Sequence, residues 1–145
     1  MKKLPTDCLQ SCTSLTSLRL LDCDSLNSVP NLQCLTMLSH LSLGRFCPEL
    51  DEFPWPYPGP SLSSLFLAGW GKLKSLPHQL HHLSPSLTGL SIVGFGELES
   101  LLEWLGNLSN LRDLCIWNCL KLRSFPSPEA MRRLSNLEYL FIIDG

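Results

Sequence analysis

The chain has 145 residues, of which 34 are leucine, 19 serine and 11 proline, with 17% charged and a formal net charge of −2. An apolar content of 44% excludes intrinsic disorder, which needs few hydrophobes and a large net charge, and the near-neutral balance offers no basic footprint for nucleic acid or an anionic membrane. Proline recurs too often inside the leucine-dense stretches for an all-helical domain, which leaves a membrane segment or a repeat.

The membrane segment fails on length. A bilayer span needs about 20 consecutive, mostly apolar residues, and the stretch Leu98 to Leu108 is broken by Glu99, Glu103 and Gly106. Met1-Lys2-Lys3 runs directly into Pro5, Thr6 and Asp7, with no apolar core of a secretory leader. A cytoplasmic location is therefore expected. Seven cysteines, an odd number at positions 8, 12, 23, 34, 47, 115 and 119, agree with a reducing compartment.

In chain order, the first repeat opens at Leu15 and places apolar residues at offsets 0, 3, 5, 8, 11 and 14: Leu15, Leu18, Leu20, Cys23, Leu26 and Val29, then Pro30. The second opens at Leu38 with Leu41, Leu43 and Phe46, and an extra residue shifts its remainder to Leu50, Phe53 and Pro54. The third runs Leu62, Leu65, Leu67, Trp70, Leu73, Leu76, Pro77. The fourth runs Leu87, Leu90, Ile92, Phe95, Leu98, Leu101, with Leu102 where proline would stand. The fifth runs Leu111, Leu114, Ile116, Cys119, Leu122, Phe125, Pro126, and a sixth begins Leu137, Leu140, Ile142 before Gly145. Six specified apolar positions match by chance in roughly 0.7% of frames at this composition, so four full matches in near-regular phase define a period of about 24 residues.

Offsets 3 and 5 alternate as a short strand does, with offset 4 pointing the other way. One coil cannot bury its own apolar side, so the coils stack and their strands pair in parallel. Offset 8, held by Cys23, Phe46, Trp70, Phe95 and Cys119, is expected to fill the core where the chain leaves the strand. Return segments at Asn31 to Met37, Leu98 to Leu108 and Pro128 to Leu134 are expected to hold one or two helical turns. The last is capped by Ser127, with Pro128 at the first helical position and Glu129 at the positive end of the dipole. Pro54 to Pro60, with four prolines in seven residues, predicts an extended polyproline-like return. It is expected to be an irregular connection rather than a ligand for a proline-reading domain.

These phrases carry a resemblance. Leu111 to Pro126 looks like a leucine-rich repeat of the cytoplasmic kind, and Leu73-Lys-Ser-Leu-Pro77, Leu122-Arg-Ser-Phe-Pro126 and Leu108-Ser-Asn-Leu-Arg-Asp-Leu114 resemble the repeat region of plant nucleotide-binding leucine-rich-repeat disease-resistance proteins. The resemblance spans the chain from Leu4-Pro5 onward. It departs from that family in the irregular second repeat and in lacking the nucleotide-binding part. It implies an α/β fold: a single right-handed leucine-rich-repeat solenoid, or horseshoe, over residues 1–145. A parallel β-sheet would line its concave face, with loops or short helical turns on the convex face. Incomplete coils at both ends, without polar caps, are expected to mark a fragment of a longer array.

No enzymatic constellation emerges and no cofactor is implied. Gly69-Trp-Gly71-Lys72 has Phe66 and Leu73 where a phosphate loop needs glycine and Ser or Thr. His78, His81 and His82 form a cluster with nothing nearby to complete a metal shell or a triad. The pairs Cys8/Cys12 and Cys115/Cys119 lack the matched spacing of a zinc site, and Asn107-Leu-Ser109 is a glycosylation acceptor without a leader. What remains is the concave face, built from offsets 2, 4, 6 and 7, including at offset 6 Leu21, Gly44, Ala68, Val93, Trp117 and Ile143. Its N-terminal strands present Arg19, Asp22, His40 and Arg45; Phe66 and Asp113 follow; Trp117, Tyr139, Phe141 and Ile143 close the row. Outward aromatics cannot serve the coil's own core and mark an interaction surface. The family resemblance implies protein partners: a pathogen effector, a host protein guarded by the receptor, or an intramolecular nucleotide-binding domain, and neither nucleic acid nor membrane. The competing expectations are a truncated structural remnant, another leucine-rich-repeat adaptor, or a receptor ectodomain. The ectodomain would need a leader, cysteine caps and a Gly-x-Ile-Pro phrase.

Overall fold

A computed structural model describes residues 11–83, 86–101 and 103–143, with the backbone alone at 81, 82 and 104. The expectations placed on Leu4, Pro5, Cys8, Leu102 and Gly145, and on the side chains of His81 and His82, lie outside what is described.

Six five-residue strands follow one another: β1 (Ser17–Leu21), β2 (His40–Gly44), β3 (Ser64–Ala68), β4 (Gly89–Val93), β5 (Asp113–Trp117) and β6 (Tyr139–Ile143). Each occupies offsets 2 to 6 of its repeat. They form one parallel sheet in the order β1-β2-β3-β4-β5-β6. Every junction pairs equal offsets, as in Leu41↔Leu65, Leu65↔Leu90 and Leu90↔Leu114. The chain is a repeat solenoid with few helices.

The coils are stitched by a recurring backbone pattern. The offset-1 carbonyls of Thr16, Ser39, Ser63, Thr88 and Arg112 each accept two N–H groups, from offsets 1 and 2 of the next coil. At the other end of the strand, the offset-7 N–H groups of Asp22, Arg45, Gly69, Gly94 and Asn118 donate to the offset-6 carbonyl of the next coil. Four of those offset-7 residues are left-handed: Asp22 (φ 60°), Arg45 (51°), Gly94 (72°) and Asn118 (58°). The left-handed residue turns the chain out of the strand and into the core. Asp, Asn and Gly tolerate that conformation best.

The core is the inward set of the repeat. Leu38, Leu41, Leu43, Leu62, Leu65, Leu67, Leu87, Leu90, Ile92, Leu111, Leu114 and Ile116 are all buried. Offset 8 fills the bend as expected, with Phe46, Trp70, Phe95 and Cys119 buried. The extra residue of the second repeat has a packing consequence, because it brings Phe53 into this aromatic file. Its ring lies 5.8 Å from Phe46, 5.6 Å from Trp70 and 6.1 Å from Phe95. The Trp70 indole N–H donates to the Leu50 carbonyl at 2.9 Å, so the donor that its buried ring carries is satisfied.

The returns differ from expectation in part. Helix α1 (Pro128–Arg132) forms with Ser127 as its cap, the Ser127 hydroxyl accepting from Ala130 N. Residues Glu103–Asn107 form a 3₁₀ turn, as do His78–His82. Asn31 to Met37, by contrast, holds single turns and no helix. Asn31 Oδ1 captures the Gln33 N–H at 2.8 Å, and Leu35 and Leu38 make isolated bonds to residues three before them. The Asx turn offers the backbone a local alternative to helix propagation. The Pro54–Pro60 return is irregular, as expected, but it is not a continuous polyproline helix. Tyr57 is left-handed (φ 50°), and Pro56 is buried with its carbonyl accepting from Leu32 N at 2.8 Å.

Candidate protein-binding surface

On the outward face, offsets 2 and 4 are exposed or half-buried on every strand. Offset 6 is not, which corrects the expectation of a fully outward row. Leu21 is half-buried, and Gly44, Ala68 and Val93 are buried. A Cβ on Gly44 would lie 2.0 Å from the Ala68 carbonyl oxygen. Further along the same row, Trp117 and Ile143 are exposed.

The N-terminal half of the face is polar. Arg19 is exposed on β1 and makes no ion pair among the described residues. His40 is exposed on β2, its Nδ1 2.8 Å from the Ser39 hydroxyl. Arg45 is exposed but engaged, its Nε 2.6 Å from Asp22 Oδ1 of the preceding coil. Phe66 is half-buried in the middle of the sheet, between Ser42 and Ser91. Asp113 is exposed at the start of β5.

The C-terminal half is apolar. Trp117 is 48% exposed, Tyr139 54%, Phe141 51% and Ile143 49%. Tyr139 and Phe141 stack with ring centroids 6.4 Å apart and planes 3° from parallel. Trp117 and Ile143 are register partners on adjacent strands. Arg112 and Glu138 pair at 2.6 Å just before these strands, and the carboxylate raises the Arg112 pKa. The structure thus brings Trp117, Tyr139, Phe141 and Ile143 together, while Arg19, His40 and Arg45 sit apart at the opposite end of the sheet.

One other expectation is corrected at this end. Phe125, at offset 14, is exposed. The offset-3 and offset-5 residues of β6, Leu140 and Ile142, are inward by register yet 46% exposed. Together they border an apolar cleft of about 130 Å³ floored by Leu101, Leu105 and Met131. No strand among the described residues lies beyond β6.

Sequence reasoning missed the side-chain ladder along the edges of the coils. The hydroxyls of Ser39, Ser63 and Thr88 each donate to the offset-1 carbonyl of the preceding coil. Ion pairs link Lys121 to Glu97 at 2.8 Å and Arg123 to Glu99 at 3.3 Å. The Glu103 carboxylate accepts both the N–H and the hydroxyl of Ser127, at 2.6 and 2.7 Å, and these bonds lower its pKa. All of these pairs lie about one period apart, and that spacing is the signal by which they could have been found.

Among the described residues no group of three or more His, Cys, Asp or Glu side chains is placed to hold a metal ion, and no helix is long and apolar enough to cross a membrane. Cys119 is buried, which pushes its thiol pKa up, and Cys115 is half-buried on the outward side. Gly69 of the glycine-tryptophan-glycine turn has a packing role, since a Cβ there would lie 2.8 Å from the Phe95 ring. Neither a scan against protein-family models nor a search of curated proteins returned a match, so the surface is read from its own geometry.

Proposed function

We propose that this chain is a leucine-rich-repeat horseshoe, right-handed, with the sheet on its concave side, and that it acts as a cytoplasmic protein-interaction module without catalytic activity. The 24-residue period, the offset-to-offset register and the resemblance of its repeat phrases support this reading. By the same resemblance, the module belongs to a plant disease-resistance-like protein. Its partner is a pathogen effector, a guarded host protein or a nucleotide-binding domain of the same receptor.

The observation that carries the interaction reading is Trp117. It lies on β5, with β4 and β6 paired on either side, and is still 48% exposed. At this exposure the side chain gives up about half of the burial free energy open to it, on the order of 1 kcal/mol. Exposed aromatics of this kind anchor interfaces. The test is capture from plant extract, with captured proteins identified by mass spectrometry. Trp117→Ala and Phe141→Ala lose partners that the wild type retains, while circular dichroism shows unchanged folding. An unchanged set of captured proteins with a folded double variant overturns the assignment.

A further inference from the structure

We propose that a ladder of alternating charge along one edge of the solenoid dictates which coil stacks on which, so that no coil is skipped as the chain folds. The ladder is made by the two residues that flank the offset-11 leucine of each coil. These are Glu49 and Asp51 beside Leu50, Lys72 and Lys74 beside Leu73, Glu97 and Glu99 beside Leu98, and Lys121 and Arg123 beside Leu122. In a chain only 17% charged, all eight are charged, both members of each pair share a sign, and the sign reverses at every coil. The first coil, with Ser25 and Asn27 beside Leu26, is neutral. None of these residues belongs to the concave face.

The fold sets successive rungs against one another. Lys72 Nζ lies 3.5 Å from Asp51 and donates to the Glu49 carbonyl at 3.1 Å. Between the fourth and fifth coils both rungs are paired, Lys121 with Glu97 and Arg123 with Glu99. Between the third and fourth coils the edge opens into a cleft of about 380 Å³, with Lys74 on one side and Glu97 and Glu99 on the other. Lys121, by hydrogen bond and charge, lowers the Glu97 pKa most, and Lys74 adds to the lowering from across the cleft. The paired side chains are all at least 40% exposed, so they contribute little to equilibrium stability.

What the ladder supplies is discrimination. The sheet side of the core has little: offsets 0, 3 and 5 read Leu, Leu, Leu in the second and third coils and Leu, Leu, Ile in the fourth and fifth. Leu111, Leu114 and Ile116 therefore fit onto the third coil as well as Leu87, Leu90 and Ile92 do. Looping out one coil is no strong barrier, because closure entropy grows slowly with loop length. Misassembly between similar units is a characteristic failure of repeat proteins. Offset 8 separates the two coils by size, Phe95 against Cys119, but only once they touch. Charges act from farther out, over about 8 Å at physiological salt. Under strict alternation, skipping one coil sets like against like: Lys72 and Lys74 against Lys121 and Arg123, or Glu49 and Asp51 against Glu97 and Glu99. Stacking in chain order sets opposite signs together at every junction of these coils.

Refolding from urea, followed by hydrogen exchange of the refolded chain read by mass spectrometry, tests this. A skipped fourth coil leaves β4 unprotected while β3 and β5 stay protected. Wild type is compared with a chain whose fourth and fifth rungs are exchanged (Glu97→Lys, Glu99→Lys, Lys121→Glu, Arg123→Glu). A third chain inverts the whole ladder by adding Glu49→Lys, Asp51→Lys, Lys72→Glu and Lys74→Glu. Neither set alters the net charge. At about 0.05 M salt the exchanged chain is expected to give about fivefold or more of the β4-unprotected species than wild type. The inverted chain, which keeps the alternation, stays within about twofold of wild type. At about 1 M salt the screening length shrinks to roughly 3 Å. The unprotected fraction then falls in the exchanged chain and rises in wild type. If the exchanged chain folds at neither salt, the inverted chain and the wild-type salt series decide. An exchanged chain that refolds like wild type at low salt overturns the proposal. So does an inverted chain that skips as the exchanged one does, or a wild type whose β4-unprotected fraction does not rise with salt.

Discussion

Gly44 offers the most direct test of how tightly the coils close on one another. It ends β2 at φ +145°, a backbone region that L side chains rarely adopt and that costs about 1–3 kcal/mol for a non-glycine residue. In Gly44→Ala the new methyl would meet the Ala68 carbonyl oxygen at 2.0 Å and its Cβ at 2.7 Å, where non-bonded atoms settle near ~3.5 Å. The obstruction is backbone, and it belongs to a strand bonded on both sides, so it cannot swing away. Overpacking adds about 1–3 kcal/mol. The sum, about 2–6 kcal/mol, corresponds to a fall on the order of 10 °C in the melting temperature of a domain of this length. Because coils interact only with their neighbours, hydrogen exchange is expected to quicken first in β1, β2 and β3. Gly71→Ala is the control: nothing lies within 4 Å of a Cβ there, and the change is neutral or stabilising by up to ~1 kcal/mol. Urea unfolding followed by circular dichroism measures both. If Gly44→Ala falls within about 0.5 kcal/mol of wild type, the close approach of the Ala68 backbone to Gly44 is wrong.

Two further outcomes concern titratable groups. The Glu103 carboxylate has its pKa lowered by hydrogen bonds from Ser127, so its contribution to stability is fully present above the ordinary carboxylate range and is lost as pH falls through the depressed value. Glu103→Gln should therefore lower the melting temperature near pH 7 and converge with wild type in acid; parallel curves at all pH values would refute the assignment. Burial raises the Cys119 pKa, while Cys12 and Cys34 are exposed. A disulfide reagent at pH 8 should modify Cys12 and Cys34 before Cys119, which reacts at the rate of unfolding, as peptide mapping of a time course would show.

The strands and their register were legible because each inward leucine recurs at one period, and a period-two alternation at offsets 3 and 5 has a single structural solution. The aromatic file was legible at Phe46, Trp70 and Phe95. Phe53 joined it only through the extra residue, whose direction no pattern specifies. The left-handed bend at offset 7 was hidden for a different reason. Asp22, Gly94 and Asn118 are residue types that accept it, but Arg45 takes the same conformation (φ 51°) under the constraint of its neighbours. The helix expected at Asn31 failed because a side-chain acceptor two residues away outcompetes a helix with no propagated bonds. Inter-coil pairs such as Arg45 with Asp22 and Lys121 with Glu97 escaped a reading that looked for charge patterns within helices. Across a solenoid, the relevant spacing for charges is the length of a coil.

Offset 6 bears on the proposed interaction surface as well. Along this row residue size rises from Gly44 through Ala68 and Val93 to Trp117, while the first three are buried and the fourth is exposed. At Gly44 the neighbouring backbone leaves no room for a side chain, as the 2.0 Å approach shows. By β5 there is room for a side chain, and a small residue would have satisfied the sheet equally well. Trp117, with its half-exposed ring, is thus the residue of this row that the interaction proposal rests on. Tyr139, Phe141 and Ile143 are weaker witnesses, since they lie on an outer strand where the inward Leu140 and Ile142 are exposed as well. Trp117 stands on a strand paired on both sides by β4 and β6, so the loss of partner capture in Trp117→Ala is the measurement that bears most directly on the proposed function.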